Sequence, residues 1–260
     1  MKLNMLGVSV GNSRTRIGAF IDGELQECAT YRNEREDVLA EAVTQAYAPL
    51  ADRDDAAVLL TSVNDPAAKA IENQITTSLG KQVRRVERDM LIPIGRQVDD
   101  ESQVGEDRLL NAAAAFDILK QACVVVDAGT AITVDFVDGA GTFHGGAIAA
   151  GAQLQLDALN TRTYQLPQVE LARPDEPIGH NTVDAMKSGV YYGLRGMVRE
   201  LVEQYAEKIG AFPMVVATGG DGNLLFRDYE LVDRVIPNLT MMGLYTTLRV
   251  AHEQQSKADN

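Results

Sequence analysis

The sequence is poor in the residues that build disulfides and zinc sites. It has only two cysteines, Cys28 and Cys123, which are far apart in the chain. Because Cys123 lies inside an apolar run, we expect a buried free thiol there rather than a disulfide. The three histidines, His144, His180 and His252, lack the spacing of zinc ligands. This composition predicts a protein of the reducing cytoplasm without a structural zinc ion.

Positive charge and long hydrophobic runs are also scarce. Lys and Arg number 24 against 37 Asp and Glu, which gives a formal net charge of −13. Nucleic acids and anionic membranes are bound through clustered Lys and Arg, so we expect no binding to either. We also expect neither a signal peptide nor a membrane-spanning helix, because no apolar run is long enough. A small anionic ligand held by a few local cations and backbone amides remains compatible with this charge.

What the sequence does contain is clearest between residues 124 and 135, which read VVVDAGTAITVD. The apolar β-branched residues predict a buried strand that ends at Asp127, Gly129 and Thr130, and a second strand follows at once. A glycine in such a turn lets backbone N–H groups approach an anion, and a threonine hydroxyl can donate to a phosphate oxygen. A carboxylate at the strand end can hold a cation or a water. An ordinary β-hairpin with a polar turn is the alternative interpretation.

Nearly the same pattern occurs close to the N-terminus, where residues 6–23 read LGVSVGNSRTRIGAFIDG. When Gly11 is aligned with Gly129, both copies show a strand, a polar residue, a small residue, glycine, a polar turn, a second strand and an Asp-Gly pair. The copies are almost half the chain apart, and a repeat of that length predicts two similar domains. One difference stands out, since Ser9 occupies the place that Asp127 holds in the second copy.

The hydrophobic pattern in the rest of the chain predicts an α/β protein with mixed strands. The first half reads β-β-β-α-β-α-β, and the chain of 260 residues is long enough for two medium domains, each with its own core. We place these domains at residues 1–115 and 116–260. The best-defined predicted helices are Glu36–Ala48, Ala67–Leu79, Ala152–Asn160 and Val183–Lys208.

A carboxylate and a guanidinium stand side by side where an alanine-rich helix is predicted to begin, at Gly105, Asp107 and Arg108. An Asp near a helix N-terminus can be a simple partner of the helix dipole. An Arg there is unfavourable for the dipole, which indicates another purpose. Together the two groups can bind a hydroxyl and a phosphate. A second glycine-rich turn, Thr218–Gly220, follows a later predicted strand, where an adenine or ribose would commonly lie.

Taken together, these motifs resemble the type III pantothenate kinases, members of the acetate and sugar kinase, Hsp70 and actin superfamily. The resemblance covers nearly the whole chain. Each motif is weak alone, but their order and spacing are specific. The matching segments are Gly11-Asn12-Ser13, Gly105-x-Asp107-Arg108, Asp127-Ala128-Gly129-Thr130, Gly145-Gly146-x-Ile148, Thr163-x-x-Leu166-Pro167, Gly179-x-Asn181-Thr182 and Thr218-Gly219-Gly220.

The resemblance implies a fold of two similar actin-like (ribonuclease H-like) domains, each a mixed sheet flanked by helices, with a cleft between them. It implies transfer of the γ-phosphate of ATP to pantothenate, which gives 4′-phosphopantothenate in the first step of coenzyme A biosynthesis. It also implies a homodimer with the substrate site near the interface. The implied cofactors are ATP, Mg²⁺ and a monovalent cation, K⁺ or NH₄⁺.

The resemblance further implies a role for each matched residue. Asp107 would be the general base for the pantothenate hydroxyl, and Arg108 would bind the transferring phosphate or the pantothenate. Asp127 would help to place the metal or the monovalent cation. The implied ATP and phosphate contacts are Ser9, Gly11, Asn12, Ser13, Arg16, Gly129, Thr130, Thr218, Gly219 and Gly220. The implied pantothenate contacts are Gly105, Asp107, Arg108, Thr163 and Thr182.

The chain departs from the family pattern in two places, and three hypotheses stay open. The family's first turn normally starts with Asp, and this chain has Ser9 there. The first hypothesis is an active pantothenate kinase. The second is a catalytically weakened relative that binds nucleotide or pantothenate as a regulatory or accessory protein. The third is a kinase of the superfamily that acts on another small hydroxy substrate. The second departure lies ahead of Gly105, where the family tends to carry an aromatic residue and an Asn-Pro pair and this chain reads Val98-Asp99-Asp100-Glu101. This acidic run either supplies a carboxylate in place of the missing Asp or is a solvated loop.

Overall fold

A computed structural model describes residues 2–34, 36–53, 55–100 and 103–258. Glu101 of the acidic run therefore lies outside the described residues. Packing divides the chain into two compact units: unit 1 comprises residues 1–94, 100–117 and 238–260, and unit 2 comprises residues 95–99 and 118–237. The domain boundary between residues 115 and 116 stays a prediction.

Eleven strands and seven α-helices are defined in the described part of the chain. The strands are β1 (Met5–Val10), β2 (Arg14–Ile21), β3 (Glu24–Arg32), β4 (Ala57–Ser62), β5 (Val83–Arg85), β6 (Gly95–Arg96), β7 (Cys123–Ala128), β8 (Ala131–Val137), β9 (Thr142–Ala150), β10 (Met214–Thr218) and β11 (Arg234–Val235). The helices are α1 (Glu36–Tyr47), α2 (Asp65–Leu79), α3 (Glu106–Leu119), α4 (Ala152–Arg162), α5 (Thr182–Ile209), α6 (Gly222–Phe226) and α7 (Leu239–Ala258).

Unit 1 is built on a five-stranded mixed sheet in the order β3-β2-β1-β4-β5. The first three strands are antiparallel neighbours, while β4 and β5 run parallel to β1. Alternate residues of β1 and β4 pack against α1 and α2, as strand periodicity requires. On the opposite face Gly7 leaves room for α7, because a Cβ there would lie 2.8 Å from the Met241 side chain.

Polar caps fix the ends of α2, the helix that follows β4. The Asn64 side chain accepts a hydrogen bond from the N–H of Ala67 at 3.4 Å, which satisfies one of the free N–H groups of the first turn. Gly80 ends the helix in the left-handed region, with φ of 63°. Both ends follow local residue chemistry, so the sequence predicted this helix to within two residues.

Unit 2 contains a six-stranded mixed sheet in the order β11-β10-β7-β8-β9-β6. Its central strand β7 is antiparallel to β8 and parallel to β10. The 28-residue helix α5 buries Met186, Val190, Leu194 and Val198 in the core of this unit, one residue from nearly every turn. The helix predicted over Ala152–Asn160 is present as α4, and the strand β9, which the sequence pattern did not predict, precedes it.

The two sheets repeat one arrangement. The order β3-β2-β1-β4-β5 in unit 1 matches β9-β8-β7-β10-β11 in unit 2, with the same antiparallel and parallel pairings, and β6 is an addition in unit 2. The internal repeat read from the sequence is thus a structural repeat. The predicted mixed α/β fold, with two sheets flanked by helices, is confirmed. In the described part of the chain no helix is both long and apolar enough to cross a membrane.

Candidate active site

The first predicted phosphate turn joins β1 to β2 in unit 1. The N–H of Gly11 donates to the carbonyl of Arg14 at 2.9 Å. Asn33 donates from its side-chain amide to the carbonyls of Gly11 and Asn12, at 2.8 and 3.1 Å, and from its N–H to the carbonyl of Ser13. The side chains of Asn12 and Ser13 stay exposed. Sequence reasoning missed Asn33, whose only signal was a polar side chain directly after a strand.

Ser9 lies on β1 just before this turn. Its paired residues are Arg16 on β2 and Thr61 on β4. Paired residues of neighbouring strands project to the same face of a sheet, so these three side chains share one face. Ser9 and Arg16 are partly buried, and Thr61 is buried. The structure therefore brings the predicted residues Ser9 and Arg16 together beside the turn.

The predicted base lies at the start of a helix, as the sequence indicated. Because α3 begins at Glu106, Asp107 and Arg108 both lie in its first turn. Oδ1 of Asp107 accepts a hydrogen bond from the N–H of Arg108 at 2.9 Å. A Cβ at Gly105 would lie 2.6 Å from the same Oδ1, so glycine gives this carboxylate its room. A negative side chain is stabilised at this end of a helix.

Glu106 was assigned no role by the sequence, yet its carboxylate is hydrogen-bonded to two residues of β4. Its Oε2 accepts hydrogen bonds from Oγ1 of Thr61 at 2.6 Å and from the N–H of Ser62 at 3.0 Å. Burial raises the pKa of this carboxyl, and the bonds from Thr61 and Ser62 oppose that rise. The contacts link the start of α3 to the end of β4. Only the tertiary structure reveals them, since the residues are far apart in sequence.

The second predicted phosphate turn joins β7 to β8 in unit 2. Asp127 lies near the end of β7, paired with Thr133 on β8 and Thr218 on β10. The N–H of Gly129 donates to the carbonyl of Ala131 at 3.0 Å and closes the turn. The neighbouring Thr130 is exposed, which leaves its hydroxyl accessible to a phosphate.

The glycine-rich turn after β10 packs against this same strand end. Gly219 has φ of 91°, a left-handed value that favours glycine. A Cβ on Gly219 would collide with Oδ1 of Asp127 and with the carbonyl of Ala128. The N–H of Asp221 donates to that carbonyl at 3.0 Å. Unit 2 therefore brings together the predicted residues Asp127, Gly129, Thr218 and Gly219, while Gly220 follows in the same turn.

The two predicted pantothenate contacts of unit 2 differ in their surroundings. Thr182 begins α5 and lines a cavity of about 530 Å³. The other lining residues are Gln155, Leu159, Leu166, Ala185, Met186, Gly189 and Val190. Thr163 is not among them. Its hydroxyl donates to the carbonyl of Leu159 at 2.8 Å and accepts from the N–H of Leu166 at 3.3 Å, so it caps the end of α4.

Comparison with known proteins decides the family. The family model described as type III pantothenate kinase matches residues 5–204, which include both hairpin turns and the start of α3. The chain belongs to the type III pantothenate kinase family. These enzymes phosphorylate pantothenate, the first step of coenzyme A biosynthesis. The resemblance seen in the sequence motifs is therefore confirmed.

Individual relatives agree with the family model. The type III pantothenate kinase of Moorella thermoacetica is 33% identical over 257 residues, which cover 97% of this chain and 100% of the relative. That of Frankia alni is 32% identical over 241 residues, covering 92% of this chain and 96% of the relative. Nothing in these comparisons supports the hypothesis of a regulatory or accessory binding protein.

Among solved structures, MreB5 of Spiroplasma citri bound to ADP has a TM-score of 0.52 and 10% identity, and the match covers 99% of each chain. At that identity the likeness shows the fold alone, which is the actin-like fold expected for a type III pantothenate kinase.

The donor groups fit the Mg²⁺ that a kinase of this family implies. Mg²⁺ is usually bound through one or two carboxylates together with substrate phosphates and waters. Asp127 offers such a carboxylate at a strand end, next to a glycine turn. Across residues 2–34, 36–53, 55–100 and 103–258 there is no group of three or more His, Cys, Asp or Glu side chains that could hold a metal ion without substrate.

Proposed function

We propose that this chain transfers the γ-phosphate of ATP to the hydroxyl of pantothenate and releases ADP and 4′-phosphopantothenate. The observation that carries the proposal is the placement of Asp107 and Arg108 in the first turn of α3, inside the region that matches the family. Phosphoryl transfer depends on positioning and on charge neutralisation more than on covalent catalysis. A carboxylate and a guanidinium at one helix end supply both.

Asp107 acts as the general base. Its carboxylate accepts the proton of the pantothenate hydroxyl while that oxygen bonds to the γ-phosphorus and the bond to the bridging oxygen of ADP breaks. Gly105 leaves the carboxylate space to turn toward a substrate. Arg108 holds the transferring phosphate or the pantothenate, because a guanidinium can donate two parallel hydrogen bonds to an anion.

The hairpin turns of the two units contribute phosphate contacts of the same kind. In unit 1 these are Gly11, Asn12 and Ser13. The side-chain amide of Asn33 holds their turn through hydrogen bonds to its carbonyls, and Ser9 and Arg16 lie beside it. In unit 2 they are Gly129 and Thr130, with Thr218, Gly219 and Gly220 near the nucleotide. Backbone N–H groups in tight turns bind anions without any net positive charge on the protein. This agrees with the formal charge of −13. The N–H groups of Gly11 and Gly129 donate within their own turns, so these glycines act by letting the phosphate approach the backbone.

The finer assignments belong to the same proposal. Asp127 holds Mg²⁺, which neutralises phosphate charge when bound, or the monovalent cation, K⁺ or NH₄⁺. Thr182 and Thr163 belong to the pantothenate pocket, and the cavity beside Thr182 supports the first of these roles more directly than the second. The enzyme works in the cytoplasm as a homodimer with the substrate site near the interface.

The deciding experiment measures phosphopantothenate formed from ATP and pantothenate, with Mg²⁺ and with either K⁺ or NH₄⁺. We expect turnover by the wild type and a loss of about 10²- to 10⁴-fold in Asp107→Asn, the range typical of a removed general base. Asp65→Asn is the matched control, because Asp65 also lies in the first turn of a helix in unit 1.

Absence of product from the wild type under every ion mixture would contradict the proposal. A panel of small hydroxy compounds, in which pantothenate should give the fastest turnover, tests the remaining hypothesis of a different substrate.

A further inference from the structure

A comparison of the two copies of the structural repeat shows where unit 1 lacks a carboxylate that unit 2 has. In unit 2 Asp127 is paired with Thr218 on the parallel neighbour β10, and in unit 1 the corresponding pair is Ser9 and Thr61. Both threonines are buried, at 1% and 2% exposure. The two strand ends are therefore equivalent in topology and in their threonine, and they differ in that Ser9 carries no charge.

A carboxylate from another element reaches this place in unit 1. Oε2 of Glu106 lies 2.6 Å from Oγ1 of Thr61, the residue paired with Ser9. Neighbouring strands are about 4.8 Å apart, so a group bonded to the Thr61 side chain lies within a side-chain length of Ser9. The N–H of Ser62 also donates a hydrogen bond to this oxygen at 3.0 Å, which fixes the orientation of the carboxylate.

Two hydrogen-bond donors, the N-terminus of α3 and the charge of Arg85 all favour the ionised form of Glu106. Neutral side chains can cap helix ends, and a partly buried carboxylate costs free energy unless a cation or several donors compensate it. Arg85 also bonds to Asp65 at 2.7 Å, so its charge is shared between two carboxylates. Within the described residues the hydrogen bonds of Glu106 go to Oε2, which leaves Oε1 able to accept another ligand.

We propose that Glu106 supplies the carboxylate that Ser9 lacks and so positions the Mg²⁺ of the bound nucleotide at the first phosphate turn, directly or through a water. This role rests on the proposed kinase function. It makes Glu106 a metal-positioning residue held by Thr61 and Ser62, and it explains how the chain tolerates Ser9.

The test compares the wild type with Glu106→Gln, Ser9→Asp and the double variant. Binding of Mn²⁺ in the presence of ADP is followed by the electron paramagnetic resonance signal of free Mn²⁺, and the Mg²⁺ dependence of turnover is measured alongside. We expect Glu106→Gln to weaken Mn²⁺ binding about 10- to 100-fold, the usual effect of removing a supporting carboxylate. Ser9→Asp in the same chain should restore most of that loss.

Glu41→Gln is the control, because Glu41 is an exposed helix glutamate of the same unit. It should leave Mn²⁺ binding and turnover unchanged. Should Glu106→Gln fail to fold, as judged by circular dichroism, Thr61→Val takes its place. This variant keeps the carboxylate and removes the hydroxyl that orients it, and about tenfold weaker Mn²⁺ binding is expected.

The proposal is overturned by unchanged Mn²⁺ binding in these variants, by a loss that Ser9→Asp does not restore, or by a wild type that binds no Mn²⁺ with ADP. These outcomes are separable from the kinase activity. Normal turnover with unchanged Mn²⁺ binding rejects the role of Glu106 alone. Absent turnover with the predicted Mn²⁺ pattern rejects the kinase function alone.

Discussion

The ends of β1 and β7 both have a carboxylate beside them, but it comes from a different element in each unit. In unit 2 the carboxylate is that of Asp127 on β7 itself. The neighbouring strand β10 is followed by Gly219, which leaves that carboxylate room. In unit 1 the strand carries Ser9, and Ser62 takes the place of Gly219 and binds Glu106 through its N–H. The comparison teaches that a repeat can keep a function-bearing position while the residue that fills it comes from another element.

The largest expected difference between the two strand ends concerns activity. Asp127→Asn should lower kcat/KM by about 10- to 100-fold, because it removes the charge that supports a bound cation. Ser9→Ala should change kcat/KM by less than that, because Ser9 carries no charge to lose. Phosphopantothenate formation at several Mg²⁺ concentrations measures both. Equal losses in the two variants would mean that Ser9 itself serves the role of the absent Asp.

The glycine turn of unit 2 should be the more sensitive to substitution. Gly219→Ala combines a left-handed φ with a collision against Asp127, so the free energy of unfolding should fall by at least about 2 kcal/mol. Gly220→Ala is the matched control, because no atom lies within 4 Å of a Cβ built there. Urea unfolding followed by circular dichroism measures both. A Gly219→Ala protein as stable as Gly220→Ala would show that the turn can shift.

The rates at which the two cysteines react should reflect how deeply each is buried in its sheet. Burial raises the pKa of Cys123 in β7 to about 12, and burial also raises the pKa of Cys28 in β3, an effect that Arg16 partly offsets. The thiolate is the reactive form, so a disulfide reagent such as DTNB at pH 8 should modify Cys28 slowly and Cys123 only after unfolding. Cys28→Ala isolates the second reaction. Native-state modification of Cys123 as fast as that of Cys28 would contradict the prediction.

The smallest expected change in the free energy of unfolding concerns the Asp-Gly turn that follows β2 in unit 1 and β8 in unit 2. Asp22-Gly23 forms a two-residue turn with φ values of 51° and 87°, whereas Asp138 caps a longer turn with its side chain, bonding the N–H groups of Ala140 and Thr142. Burial alone would raise the pKa of Asp138, but hydrogen bonds from His144 and from these N–H groups lower it overall. The turn is therefore held by the ionised carboxylate.

Asp138→Asn should cost less than about 1 kcal/mol near neutral pH, because the side chain is partly solvated. A depressed pKa in the folded state adds stability above the unfolded value, about 3.9, and this is lost as the pH falls through the folded value. The difference in unfolding free energy between wild type and variant should thus shrink below pH 4. Urea titrations at pH 6 and pH 3 check this, and a gap that widens in acid would oppose it.

The fold and most of the candidate site were readable from local pattern. The repeat around Gly11 and Gly129 depends on strand alternation and on turn residues, which act over a few neighbours. The same holds for Asp107 at the start of α3, which follows from a polar cap before an alanine-rich run. These features survive in a linear sequence because their physical causes are local.

Other features required the tertiary structure. Asn33 supports the first turn from the end of another strand, and Glu106 reaches Thr61 across 45 positions of sequence. The grouping of Gly219 with Asp127 likewise depends on the parallel pairing of β7 and β10. Such contacts are set by strand order and helix packing, and no local propensity encodes them. The sequence by itself determined most of the elements, the repeat and the family, whereas tertiary packing decided which side chains serve each turn.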